Sequence, residues 1–217
     1  MEQPGLRARK KQETHEAIAE AALAMMVERG FDDVSVAEIA EVAHVSKVTV
    51  FNYFPTKEDI VLARIEDHTA GTADAVRDRP SGTSPLDAIQ THFTRLITAK
   101  DPITGLSDRP DVIAFGRLIL ETPALLAKFA EQRTREQDQL AASLRQALGK
   151  GADSLTCHLA ALQIVSVLWA LAERNLRATV SGTHPRVVAR NAVKDSQTAF
   201  VLLARGVGDL MPAPTKG

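Results

Sequence analysis

Between Thr14 and Arg29 the apolar positions fall at Ile18, Ala21, Ala22, Met25 and Met26. Spacings of three and four predict one amphipathic helix. Gly30 stands where a helix cap is expected, and Phe31 follows, placed to fold back onto the core. Ser35-Val-Ala-Glu38 has the spacing of a capping box and opens a short second helix with Val36, Ile39, Ala40 and Ala43 on one side. His44-Val45-Ser46 breaks that pattern. Ser46 is the next N-cap, for a two-turn third helix over 47–54 that Pro55 ends, because the residue before a proline avoids the helical region. Thr56 caps a fourth helix, with Glu58 and Asp59 in its first turn and Ile60, Val61, Ala63 and Ile65 as its apolar positions. A long helix, then two short ones across a three-residue turn, predicts a helix-turn-helix over about 35–54 inside a three-helix unit, 13–64.

Beyond residue 65 the pattern remains helical. Turn-forming stretches at 78–85, 100–110, 122–123, 149–153 and 181–185 divide it into helices over roughly 85–99, 110–121, 123–148, 153–179 and 185–208. Pro85, Pro123 and Pro185 fall in the first turn, where proline is tolerated. The fold class is therefore all-α, about nine helices, with an N-terminal helix-turn-helix domain and a C-terminal helical domain over 65–208. Residues 1–12 read as an irregular basic arm and 209–217 as a tail. The run at 159–172 is apolar nearly all round, so it needs cover on more than one side. It is too short for a bilayer, which takes ~20 residues.

Composition narrows the chemistry. Hydrophobic residues at 45% and charged residues at 24% are those of a soluble globular protein. Cys157 is the one cysteine, which fits a reducing cytosol, and the N-terminus has no apolar signal region, so a cytoplasmic location is expected. The six histidines have no ligand spacing, so no metal site is expected. No phosphate loop, dinucleotide fingerprint or nucleophile elbow occurs, so neither cofactor nor enzyme activity is expected.

The third helix carries the sharper signal. Val50 and Phe54, four apart, should point inward, leaving Lys47, Val48, Thr49, Asn52 and Tyr53 for the outer face. A face meant only for water gains nothing from Val48. In the major groove of DNA the same set is useful: Asn52 can read adenine, Val48 and Thr49 can meet thymine methyls, and Tyr53, Lys47 and Lys57 can reach phosphates. Against this, residues 1–64 hold eight Lys and Arg but eleven Asp and Glu, a formal charge of −3. The acids avoid 47–54. Few phosphate contacts per subunit, weak non-specific affinity and a steep salt dependence are expected, with a slope of about −0.9 per phosphate.

The run AIAEAALAMMVERGFDDVSVAEIAEVAHVSKVTVFNYFPTKEDIV resembles the DNA-binding domain of the tetracycline-repressor (TetR) family, over Arg9 to about Arg64. The resemblance implies phosphate contacts from Ser35 and Lys57, base contacts from Lys47, Val48, Thr49 and Asn52, and a backbone contact from Tyr53. Phe51 departs from the tyrosine common there and cannot donate to a phosphate. Ser46 and the basic residues Arg9, Lys10 and Lys11 complete the candidate DNA-binding set. The resemblance also implies a homodimer, joined through the last two helices, on a palindromic double-stranded DNA operator, and a small-molecule effector in the C-terminal domain. Pocket candidates are Phe93, Ile97, Phe115, Leu118, Ile119 and Trp169, with Arg117 and His158 as polar groups. The charge pattern resembles a subset of the family with acyl-CoA-like ligands; an apolar effector is the other reading. The function so implied is a ligand-responsive transcription regulator, a repressor released by its effector. The alternative is a helical small-molecule-binding or catalytic domain that carries a non-functional DNA head.

Overall fold

The computed structural model describes residues 5–69, 71–149 and 151–207, apart from the side chains of 6, 7, 64–69 and 207. Among the described residues there are ten α-helices and no strand. They are α1 Leu6–Arg29, α2 Val36–Val42, α3 Lys47–Tyr53, α4 Lys57–Thr69, α5 Gly71–Arg77, α6 Pro85–Ala99, α7 Pro110–Glu121, α8 Pro123–Leu148, α9 Ser154–Val180 and α10 Pro185–Val207, with a 3-10 turn at Pro102–Thr104. The proline starts and glycine stops lie where the sequence pattern puts them. Two differences matter. Helix α1 begins at Leu6, so Arg9, Lys10 and Lys11 lie on a helix rather than on an irregular arm. Helix α5 is an additional element. The first four residues of the expected arm, the side chains of Arg7 and Ile65, and the tail over 209–217 lie outside the described residues.

The chain forms two compact units, one made of Met1–Asp67 with Arg117–Leu126 and the other of His68–Gly116 with Ala127–Gly217. In the first, Ile18, Ala22, Met26, Phe31, Val34, Ile39, Val50, Phe54, Ile60 and Val61 are buried. Phe31, Val50 and Phe54 thus take the inward positions expected of them. The local devices that set this core are visible. Gly30 leaves α1 at φ 95°, a conformation open to glycine and strained for other residues. Ser35 and Glu38 complete the capping box: Ser35 Oγ accepts from Glu38 N at 3.2 Å, while Glu38 Oε2 accepts from Ser35 N at 2.8 Å. Helix α2 ends in a Schellman turn, in which His44 N donates to Glu41 O at 3.1 Å and Val45 N to Ala40 O at 2.9 Å. That turn holds His44 in the left-handed region at φ 54° and redirects the chain into α3.

In the second unit, Val76, Ile89, Phe93, Ile97, Leu140, Leu144, Ile164, Val165, Leu168 and Phe200 belong to one buried cluster, and α10 packs on α9 and α6. Helix α9 runs 27 residues and is apolar enough to cross a membrane by length and composition alone. Here it behaves as a core helix, with Cys157, Ala160, Ala161, Ile164, Val165 and Leu168 covered. The 3-10 turn is pinned to α9: Asn175 Nδ2 donates to Thr104 O at 2.9 Å and Thr179 Oγ1 to Gly105 O at 3.0 Å.

Candidate nucleic-acid interface

Helix α3 buries one edge and exposes the other, as its length requires. Ser46 caps it, accepting from Thr49 N at 3.0 Å, and the two hydroxyls lie 2.8 Å apart. The Thr49 hydroxyl is therefore engaged at the cap, which leaves its methyl as the group to present. Val48 is 69% exposed, Phe51 45% and Val42, at the end of α2, 53%. Lys47 and Asn52 are exposed beside them. The Lys47 ammonium lies 6.0 Å from the centre of the Phe51 ring, four residues on, so cation and ring share one side of the helix. The exposed face of α3 itself is thus free of acids, with two apolar side chains, one amide and one cation.

Other candidates sit differently. Tyr53 is half-buried, with its ring 6.3 Å from that of His15 and 6.5 Å from that of Phe54; His15 itself stacks at 4.5 Å on Phe54. His15 thus helps hold the Tyr53 ring from α1, a role that no local pattern announces. Ser35 is occupied by its capping box. That box, first through the Ser35 hydroxyl, then the Ser35 amide, then Arg29, holds the Glu38 carboxyl down to about 2 from 4.5. Lys57 turns inward. Its Nζ donates to Phe31 O at 2.7 Å and to Val34 O at 3.1 Å, and lies 4.1 Å from the centre of the Phe31 ring. The ammonium expected on a phosphate is in this structure a clamp between α4 and the α1–α2 turn. Arg9 pairs with Glu13 at 3.3 Å on the exposed side of α1, while Lys10 and Lys11 are exposed.

The family described as bacterial regulatory proteins, tetR family, matches residues 18–63. Residues 18–63 thus match the DNA-binding domain model of that family. The HTH-type transcriptional regulator TcmR of Streptomyces glaucescens is 30% identical over 139 residues, which are 64% of this chain and 62% of TcmR. The chain thus spans less than two thirds of that relative, and 40% and 22% of two other curated regulators that it matches. Among solved structures, NalD, the secondary repressor of the MexAB-OprM multidrug efflux pump in Pseudomonas aeruginosa, has the same fold, with TM-score 0.57 at 15% identity over 88% of this chain and 97% of NalD. A complex of SmeT with triclosan is similar, with TM-score 0.53 at 17% identity over 89% and 91% of the two chains.

The pocket candidates are divided between the units. Leu118 and Ile119 are buried and Arg117 exposed, all three in the first unit. In the second unit, Phe93 and Ile97 are core residues, with Phe93 6.3 Å from Phe200 ring to ring. Phe115 is half-buried, and His158 is exposed on α9. Trp169 is half-buried and donates its indole N–H to Glu136 Oε2 at 2.7 Å. Glu136 went unnoticed in the sequence because it lies in a run, EQRTREQDQ, that reads as a solvated helix face.

Proposed function

We propose that this protein is a ligand-responsive transcription regulator that binds double-stranded DNA through α3 and represses as a cytoplasmic homodimer, released when a small molecule occupies its helical domain. The observation that carries the reading is the outer face of α3. Val48 at 69% exposure has no use in water, but beside Phe51, the Thr49 methyl, Asn52 and Lys47 it suits the floor of a major groove. Leu155 and Leu159 on α9 and Leu202 on α10 are also exposed, and they favour a twofold contact through these helices. Such symmetry matches paired half-sites. The triclosan carried by SmeT favours a small-molecule effector here. By linkage, effector and DNA then weaken each other by the same factor.

The second reading, a helical binding domain with an idle DNA head, draws on the formal charge of −3 over residues 1–64. One experiment separates the two. Genomic fragments retained by the purified protein are sequenced, and the Thr49→Ala/Asn52→Ala variant is run in parallel. An inverted-repeat motif that weakens by about 2–6 kcal/mol per half-site in the variant is expected, given about 1–3 kcal/mol per base contact. Fragments without any enriched motif would sink the regulator reading in favour of the idle head.

A further inference from the structure

The second unit buries a carboxylate that no described side chain supplies with a counter-charge. Glu136 is 9% exposed and is the only charged side chain among the described residues so deeply covered. Its Oε1 accepts from Thr72 Oγ1 at 3.0 Å and its Oε2 from Trp169 Nε1 at 2.7 Å. Both donors are neutral, and no lysine, arginine or histidine among the described residues pairs with it. Burial pushes the Glu136 carboxyl above its usual range, with the two hydrogen bonds pulling the other way. For structure alone a glutamine would serve better. It accepts from the indole with its oxygen and donates to the threonine hydroxyl with its nitrogen, at no charge-burial cost. A charge kept under such conditions marks a site where something else meets it.

The surroundings indicate what that is. The Trp169 and Phe129 rings meet edge to face at 5.7 Å, and both side chains remain half-buried rather than sealed. Because Trp169 points its N–H at Glu136, the indole plane is fixed relative to the carboxylate. A carboxylate beside partly accessible aromatic faces attracts a cation by both the charge and the ring quadrupoles. We infer that Glu136, Trp169 and Phe129 recognise a lipophilic organic cation, and that this is the chemical class of the effector. The inference rests on the ligand-responsive reading above and narrows it. An anionic head of the acyl-CoA type would meet a like charge at this point.

Trp169 is the single tryptophan of the chain, so its emission reports the site directly. The full-length protein is titrated with tetraphenylphosphonium, with its anionic counterpart tetraphenylborate, and with neutral triphenylphosphine oxide. The expected result is a saturable change in Trp169 emission with the cation and at least tenfold weaker responses to the other two. Glu136→Gln, whose helical circular dichroism should match the wild type, is expected to lose at least tenfold in affinity for the cation alone. Equal binding of the neutral or anionic probe, or an unchanged Glu136→Gln affinity, overturns the cation assignment while leaving a ligand-responsive protein. No response to any probe overturns the site itself. The DNA reading stands or falls separately, on the retained genomic fragments.

Discussion

Replacing Lys57 by methionine separates two roles that one ammonium cannot fill at once. Methionine keeps much of the aliphatic stem and removes the charge. In the structure that charge makes hydrogen bonds of 2.7 and 3.1 Å to Phe31 O and Val34 O and sits 4.1 Å from the Phe31 ring centre. Hydrogen bonds to a charged group contribute about 1.5–3 kcal/mol each when covered. Here they are only part-buried, and water can reach the carbonyls once the ammonium is gone, so the pair together is placed at about 1–2 kcal/mol. A partly desolvated cation–π contact adds about 1 kcal/mol. Lys57→Met should therefore destabilise the first unit by about 2–3 kcal/mol. Urea unfolding followed through Tyr53, the single tyrosine of the chain, reads this as a lower midpoint with an unchanged slope. The companion measurement is the salt dependence of binding to a random-sequence duplex. A clamp leaves the slope of log K against log salt as it was, even where affinity falls. A phosphate ligand would instead leave the urea midpoint in place and reduce the slope by about 0.9 per subunit. That pair of results would refute the clamp.

Three further changes test the local devices. His44→Gly removes a left-handed penalty of roughly 1–2 kcal/mol and adds back about 0.5–1 kcal/mol of unfolded-state freedom. The thermal midpoint should rise by about 2 °C, and a fall would mean that the imidazole makes a contact of its own. Glu38, held near 2 by Ser35 and Arg29, contributes stability that is complete above its ordinary value of 4.5 and lost as pH falls through about 2. Glu38→Gln should therefore lower the urea midpoint at pH 5 and converge on the wild type by pH 2; a gap independent of pH contradicts the carboxylate account. Gly105, at φ 72°, sits so close to α9 that an added Cβ would collide with Ala172 O and come within 2.6 Å of Leu176 N. Gly105→Ala should cost about 3 kcal/mol or more, lowering the thermal midpoint by roughly 10 °C, and a midpoint within a degree of wild type would show that the turn can lift off α9.

What the sequence made legible is whatever local chemistry encodes. Proline at the start of α6, α8 and α10, the Ser35–Glu38 box, the Ser46 cap and Gly30 set helix ends through contacts within a few residues. The inward pair Val50 and Phe54 and the outward Val48 follow from the period of the helix. The rest depends on distant partners. The first turn of α1 is charged and has no apolar stripe, so it read as an arm although arginine, lysine and glutamine are good helix formers. Lys57 meets carbonyls 26 and 23 residues away, and Glu136 meets an indole 33 residues on. No window of the sequence contains both halves of either contact. The grouping of Arg117–Leu126 with the N-terminal helices has the same origin.

These distant contacts alter the electrostatics of the DNA reading. Read from the sequence, Arg9, Lys10, Lys11, Lys47 and Lys57 are all available to phosphates, and Arg29 adds to the count of positive charge. In the structure Lys57 is turned inward, Arg29 pairs with Glu38 at 2.8 Å and Arg9 pairs with Glu13. The Arg9 pair is exposed and weak enough, at about 0.2–1 kcal/mol, to exchange for a phosphate. Arg29 is held more firmly, because the same carboxylate closes the capping box. Of the described basic residues between 9 and 57, Lys10, Lys11 and Lys47 then face solvent without a carboxylate partner. Binding should accordingly depend less steeply on salt than the sequence suggests, and more of it must come from what α3 lays against the bases. On the proposed reading, an α3 that exposes Val48 and Phe51 would make apolar contacts there, and their loss on a wrong base would cost affinity that no phosphate contact restores. On that reading, a head poor in free charge would bind little DNA until the sequence fits.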